Sequence, residues 1–87
     1  EGFELSQNYP NPFNPVTNIK FSIPKTGNVK LAVYDITGKE VMILLNGNLS
    51  AGTYNTDLDA SKLASGVYFY RLETEEYQNV KKMILVK

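Results

Sequence analysis

The sequence predicts an all-β domain, an immunoglobulin-like antiparallel β-sandwich of about seven strands. Three observations carry that prediction. Short runs alternate apolar and polar residues, the period of a strand with one face buried. Clusters of Gly, Pro, Asn, Asp and Ser punctuate these runs, as turns between strands do. No stretch carries the apolar spacing of an amphipathic helix. At 87 residues the chain suits one domain with one hydrophobic core.

Residues 1–7 alternate Phe3 and Leu5 and read as an edge strand or as the end of an extended linker. The block Asn8-Tyr-Pro-Asn-Pro-Phe-Asn-Pro15 follows. Its prolines hold φ at about −65° and drive the residues before them into extended geometry, so neither helix nor interior strand forms. Tyr9 and Phe13 give this ribbon two apolar rings, which suit a lead-in pinned across one edge or end of the domain. The alternative is a proline-rich ligand for an aromatic groove. Residues 17–23 set Ile19, Phe21 and Ile23 against Asn18, Lys20 and Ser22, the pattern of a half-buried strand. Pro24 stops that strand, and Lys25-Thr-Gly-Asn28 reads as a turn.

A strand over residues 29–35 points Val29, Leu31 and Val33 inward. Asp35-Ile-Thr-Gly38 has the composition of a tight turn, so residues 39–45 return as its hairpin partner. That partner is apolar on both faces, with Val41, Ile43 and Leu45 against Met42 and Leu44. Burial on both sides, or a bulge that switches faces, would produce this. Asn46-Gly-Asn48 and Ser50-Ala-Gly52 read as two turns before a strand over 53–58. Asp59-Ala-Ser-Lys-Leu63 could make one helical turn capped by Asp59 and ended by Ser65-Gly66. Residues 67–74 are the most strand-like run, with Tyr68, Tyr70 and Leu72 on one face and Val67, Phe69 and Arg71 on the other. Glu75-Glu76 closes a hairpin into residues 77–87. Met83-Ile-Leu-Val86 is apolar on both faces, which places this last strand centrally in its sheet.

The composition excludes several function classes. Nine basic and nine acidic residues cancel, so the cationic footprint of a nucleic-acid binder is missing. With no histidine and no cysteine there is no Ser–His or Cys–His pair, no imidazole metal site and no disulfide. A Ser–Lys dyad from Ser61 or Ser65 with Lys62 is geometrically poor, because neighbouring residues rarely reach one carbonyl together. Six glycines lie singly in turns and form no phosphate loop. Asp57 and Asp59 share a face as a calcium pair would, yet no further ligands accompany them. They read as a strand-end pair in which Asp59 caps the following turn, and Glu73, Glu75 and Glu76 read as a solvated hairpin tip. The longest apolar run, Val41-Met-Ile-Leu-Leu45, is far too short to span a bilayer. A non-catalytic domain without cofactor or metal is expected. Tyrosine is in excess at six, which suits either core filling by Tyr54, Tyr68 and Tyr70 or an exposed sugar-binding surface. The chain opens on Glu1-Gly-Phe, not methionine, and is expected to be a piece of a longer protein whose export signal lay upstream.

Four blocks then add up in order: Tyr9-Pro-Asn-Pro-Phe-Asn-Pro15, Val33-Tyr-Asp-Ile-Thr-Gly-Lys-Glu-Val41, Leu63-Ala-Ser-Gly-Val-Tyr-Phe-Tyr-Arg-Leu72 and Lys81-Lys-Met-Ile-Leu-Val-Lys87. In this order, flush with the last residue, they resemble the type A C-terminal sorting domain of the type IX secretion system. The likeness runs from about Leu5 to Lys87. It implies an immunoglobulin-like sandwich that directs a covalently attached N-terminal cargo across the outer membrane. Secretion components in the periplasm read the domain, and a sortase-like surface peptidase then usually removes it, leaving cargo at the cell surface or outside the cell. It further implies a division into residues 1–8, linker end and processing region, and residues 9–87, the sorting sandwich.

Carried over residue by residue, Asn11 and Pro12 match the family's opening motif and Asp35 and Gly38 its central turn. Gly66 and Tyr68 match its Gly-x-Tyr motif, and Lys82 and Lys87 its terminal basic-apolar strand. The glycines, Tyr68 and the Asn11-Pro12 ribbon also have structural work that needs no receptor. Lys82 and Lys87 are the candidates for direct recognition, since a lysine beside an apolar strand has little packing reason to be there. The immunoglobulin-like domain of flagellar hook-capping proteins shares much of the pattern, but there the module scaffolds assembly. The terminal Lys-x-x-x-x-Lys favours sorting over a structural module of that kind. An accessory sugar-binding module of a secreted hydrolase is a third reading, which requires exposed, coplanar tyrosines. The open edges of a sandwich also allow a weak edge-strand dimer.

Overall fold

Strands form where the sequence alternates, and the computed structural model, which describes residues 2–87, contains seven: β1 (Glu4–Leu5), β2 (Val16–Ile23), β3 (Gly27–Tyr34), β4 (Glu40–Leu49), β5 (Gly52–Asp59), β6 (Gly66–Glu73) and β7 (Gln78–Leu85). They make two antiparallel sheets, ordered β1-β2-β5 and β4-β3-β6-β7. This is the architecture of an immunoglobulin-like sandwich, and it confirms the expected fold class. Inward-facing positions meet between the sheets: Ile19, Phe21 and Ile23 from β2, Leu31 and Val33 from β3, Leu58 from β5, Tyr70 and Leu72 from β6, Met83 and Leu85 from β7. Each such side chain leaves water entirely, and at roughly 1.5–3 kcal/mol per large apolar residue this burial is the main stabilising term. No helix forms among the described residues, so none is long and apolar enough to cross a membrane.

Four expectations are corrected. Asn46-Gly47-Asn48 is not a turn: it continues β4 and pairs with Lys30, Val29 and Asn28. The ladder to β3 holds this polar stretch extended, with its side chains exposed on an edge strand where they cost little. Gly27 and Asn28 likewise open β3, and the turn before them is shorter than expected. Of the two readings of the apolar pattern of β4, double burial and a bulge that switches faces, the bulge is borne out. Leu44 and Val41 are the extra residues where the pairing shifts, so the strand changes faces twice along a sheet edge. Residues 59–63 make no helix; Asp59 ends β5, its carboxylate accepts from Ser61 N–H at 3.0 Å, and Leu63 N–H closes a turn onto Ala60 O at 3.0 Å.

The fourth correction matters most for function. β7 is not central but lies at the edge of its sheet. Met83 and Leu85 face the core, whereas Ile84 lies on the outward face across from Val67 and Val86 is exposed beyond the strand's end. The proline ribbon, not a further strand, lines the outer edge. After β1 pairs with β2, Tyr9 and Asn18 exchange two backbone bonds of 3.0 Å along the same edge. The ribbon then crosses to the other sheet, where Phe13 lies beside Leu85, 2% exposed, as a plug between the two layers. The expected pinning is therefore borne out for Phe13. It is not for the Tyr9 ring, which is 82% exposed and held only through its backbone.

Candidate functional site

The candidate residues are best judged by what each side chain already does. Gly66 and Tyr68 build a corner. Gly66 sits at φ +153°, a backbone region that disfavours side chains. It turns the chain into β6 so that the Tyr68 hydroxyl donates to Ala64 O, four residues back, at 2.6 Å. This is the tyrosine corner known from immunoglobulin-like sandwiches. The same corner occurs a second time. Leu49-Ser-Ala-Gly-Thr-Tyr54 repeats the form of Leu63-Ala-Ser-Gly-Val-Tyr68, with Gly52 at φ +154° and the Tyr54 hydroxyl donating to Ser50 O at 2.6 Å. A motif that serves both sheet entries alike is a folding device.

Asp35 and Gly38 form the β3–β4 turn. One Asp35 oxygen accepts from Thr37 Oγ1 at 2.6 Å, Thr37 N–H at 2.9 Å and Lys39 N–H at 3.1 Å. The Thr37 hydroxyl first, then these backbone donors, hold the Asp35 carboxyl below its usual range. Gly38, at φ +88°, donates to Asp35 O at 3.0 Å and closes the turn. The carboxylate is consumed by its own loop. Asp59 behaves alike: its bonds with Ser61 hold its carboxyl low, and Asp57 accepts from Asn18 Nδ2 at 3.0 Å. Both carboxylates of the weighed calcium pair thus have local partners.

Asn11 and the two lysines sit on or beside β7. Asn11 Oδ1 accepts from Ile84 N–H at 3.0 Å, while Pro12 is exposed. Lys87 Nζ donates to Ser61 O at 2.6 Å and its N–H to Ser65 Oγ at 3.1 Å, which ties it to the β5–β6 connection. Lys82 differs from all of these. Its ammonium has no hydrogen-bond or ion-pair partner among the described residues, and the residue is exposed.

The surroundings of Lys82 are apolar. It lies directly across from Phe69 on β6, and Ile84 lies across from Val67 on the same outward face. Ile36, 73% exposed, extends this face at the β3–β4 turn, and Val80, 46% exposed and across from Arg71, extends it along β7 on the other side of Lys82. A shallow groove there is lined by Tyr34, Asp35, Ile36, Phe69, Arg71 and Val80. The other charges of the face are already matched. Lys30 pairs with Glu40 at 2.8 Å, which lowers the Glu40 carboxyl. Arg71 lies 4.6 Å over the Tyr34 ring, donates to the Tyr34 hydroxyl at 2.8 Å and stands 3.7 Å from Glu73. The structure thus brings Lys82 near the Asp35–Gly38 turn across an apolar surface, while Gly66, Tyr68 and Lys87 serve the adjoining end of the sandwich.

Reading the sequence missed Gln7, Asn8 and Thr17. Asn8 and Thr17 are 2% and 1% exposed and join Tyr70 in a buried polar cluster. No periodicity marks a lone Asn or Thr as buried; the one available signal was Thr17 standing two residues before Ile19 on the inward face of its strand.

The family model of the secretion system C-terminal sorting domain matches residues 7–87. None of the curated proteins compared with the chain matches it.

Proposed function

The chain belongs to the secretion system C-terminal sorting domains, the sorting signal of type IX secretion, and we propose that its address is read on the outer face of β6 and β7 around Lys82. One observation carries this reading: of the candidate residues, Lys82 alone has an exposed polar side chain with no task inside the fold. The matching partner is a secretion component that sets a carboxylate against Lys82 and apolar side chains against Phe69, Val80 and Ile36. The cargo is joined on the N-terminal side and passes through the periplasm to the surface or the medium. The domain acts as an address and does no chemistry. A sortase-like peptidase would cut before Glu4. From Glu4 onward the chain is bonded into the sheet, Leu5 is buried, and an extended substrate could be offered only by peeling β1 away.

The sugar-binding reading loses its platform, because Tyr68 and Tyr70 are buried and Tyr54 stacks on Phe21 with ring centroids 5.4 Å apart.

A reporter fused ahead of residues 1–87 tests the proposal in a type IX-competent host. Lys82→Glu is expected to abolish export and Lys82→Arg to keep most of it, while Lys25→Glu, at the far end, leaves it unchanged. Unimpaired export of the Lys82→Glu fusion would overturn the proposed address.

A further inference from the structure

The segment leading in from the cargo side and the last strand of the domain are bonded to each other. Along the outer edge of β7, Phe13 N–H donates to Ile84 O at 3.0 Å and Val86 N–H donates to Phe13 O at 2.9 Å. Ile84 N–H donates to Asn11 Oδ1 at 3.0 Å, and Gln7 Nε2 donates to Lys82 O at 2.7 Å. Residues 82, 84 and 86 therefore turn their peptide groups away from β6, toward the ribbon. Two of the four partners are side chains that stand in for the peptide groups of a neighbouring strand. Proline explains the substitution: Pro10 and Pro12 have no N–H, so the ribbon cannot run a continuous ladder beside β7.

A buried hub holds the Gln7 side chain directly and fixes Pro10, the residue before Asn11. The Tyr70 hydroxyl donates to Ser6 O at 2.7 Å and accepts from Asn8 N–H at 2.8 Å. Asn8 Nδ2 donates to Pro10 O and to Thr17 Oγ1, each at 3.1 Å, and the Thr17 hydroxyl donates to Pro10 O at 2.8 Å. Gln7 Nε2 donates to Asn8 Oδ1 at 2.7 Å as well as to Lys82 O. Gln7 thus ties the hub directly to the peptide of the lysine whose side chain faces outward.

We propose that Gln7 and Asn11 are positioning residues of the address: they strap the free edge of β7 and so hold Lys82 in one register and orientation. The proposal rests on the reading of Lys82 given above. An edge strand paired on one side only is prone to fray and slip, and the strap supplies the missing side. It also ties the end of the domain next to the cargo to the strand that is read, so that loosening either one exposes the other.

Two readouts test this. Amide hydrogen exchange is followed by NMR in the 87-residue chain, and export is followed in the reporter fusion, for Gln7→Ala/Asn11→Ala and for Asn11→Asp. The double variant is expected to speed exchange at the Ile84 amide by about tenfold or more while central β3 amides stay protected. Its export is expected to be lost. Asn11→Asp keeps an oxygen acceptor for Ile84 N–H, so it should preserve both protection and export. Such rescue separates positioning from general loss of structure. Full export by the double variant despite a loosened Ile84, or an Ile84 amide that stays protected, overturns the proposal. Failure of the unaltered fusion to leave the competent host would instead strike the sorting reading, and with it the positioning role, while exchange still reports whether the strap exists.

Discussion

One hydroxyl group serves two buried backbone groups at Tyr70, and that makes this residue the sharpest single-atom test of the fold. Tyr70→Phe leaves Ser6 O and Asn8 N–H without a partner, an expected loss of about 1–3 kcal/mol in urea unfolding. Burial pushes the Tyr70 hydroxyl up to about 12, against a backbone bond from Asn8 that favours the ionised form. A folded value above the unfolded one means that the contribution is complete below about pH 10 and declines between there and pH 12. Stability should therefore fall across that window, and less so in Tyr70→Phe; equal alkaline slopes for the two proteins would contradict this. Much of the residue scale was legible. Tyr68 and Tyr70 stand out as core because they alternate with Phe69 and Arg71 in a β-rich run, whereas Asn8 gave no warning that it is buried and Thr17 gave only its place in the alternation of β2.

Elements show where local pattern informs and where it misleads. The two corners, Gly52-Thr-Tyr54 and Gly66-Val-Tyr68, share one geometry, so their glycines and tyrosines should behave as pairs. Gly52→Ala and Gly66→Ala are each expected to cost roughly 1–3 kcal/mol from backbone strain, and Tyr54→Phe and Tyr68→Phe about 1 kcal/mol from the lost bond, all measurable by urea unfolding. A large export defect in Tyr68→Phe with Tyr54→Phe silent at matched stability would return Tyr68 to the address. β2, β3 and β6 were legible because alternation with one face buried leaves a period of two in the sequence. β4 was read short because Asn46-Gly47-Asn48 has turn composition, and only its ladder to β3, remote in sequence, keeps it extended. β7 was placed centrally because Ile84 and Val86 make the run apolar throughout, yet Ile84 lies on the outward face of an edge strand and Val86 is exposed just beyond it.

At the scale of the whole molecule, the fold class followed from alternation and turn spacing, and the resemblance of four blocks pointed to the family that the match over residues 7–87 then showed. Strand order and the closing of one side of the sandwich were not legible, since the first depends on pairings between segments remote in sequence, such as Val16 with Asp59 and Lys30 with Glu73, and the second on contacts as distant as Gln7 with Lys82. For the candidate residues, the sequence proposed a set but divided their labour only in part. The structural work of the turn glycines and Tyr68 was legible in the sequence, but only the structure separates the two lysines, tying Lys87 to Ser61 O and leaving the Lys82 side chain without a partner among the described residues. The most direct measurement compares a reporter carrying an ordinary export signal and residues 1–87 in two hosts, one with the type IX translocon and one without. The predicted result is reporter at the surface or in the medium, shortened by about the mass of this domain, in the competent host alone. A folded fusion that stays in the periplasm of both hosts would contradict the sorting function.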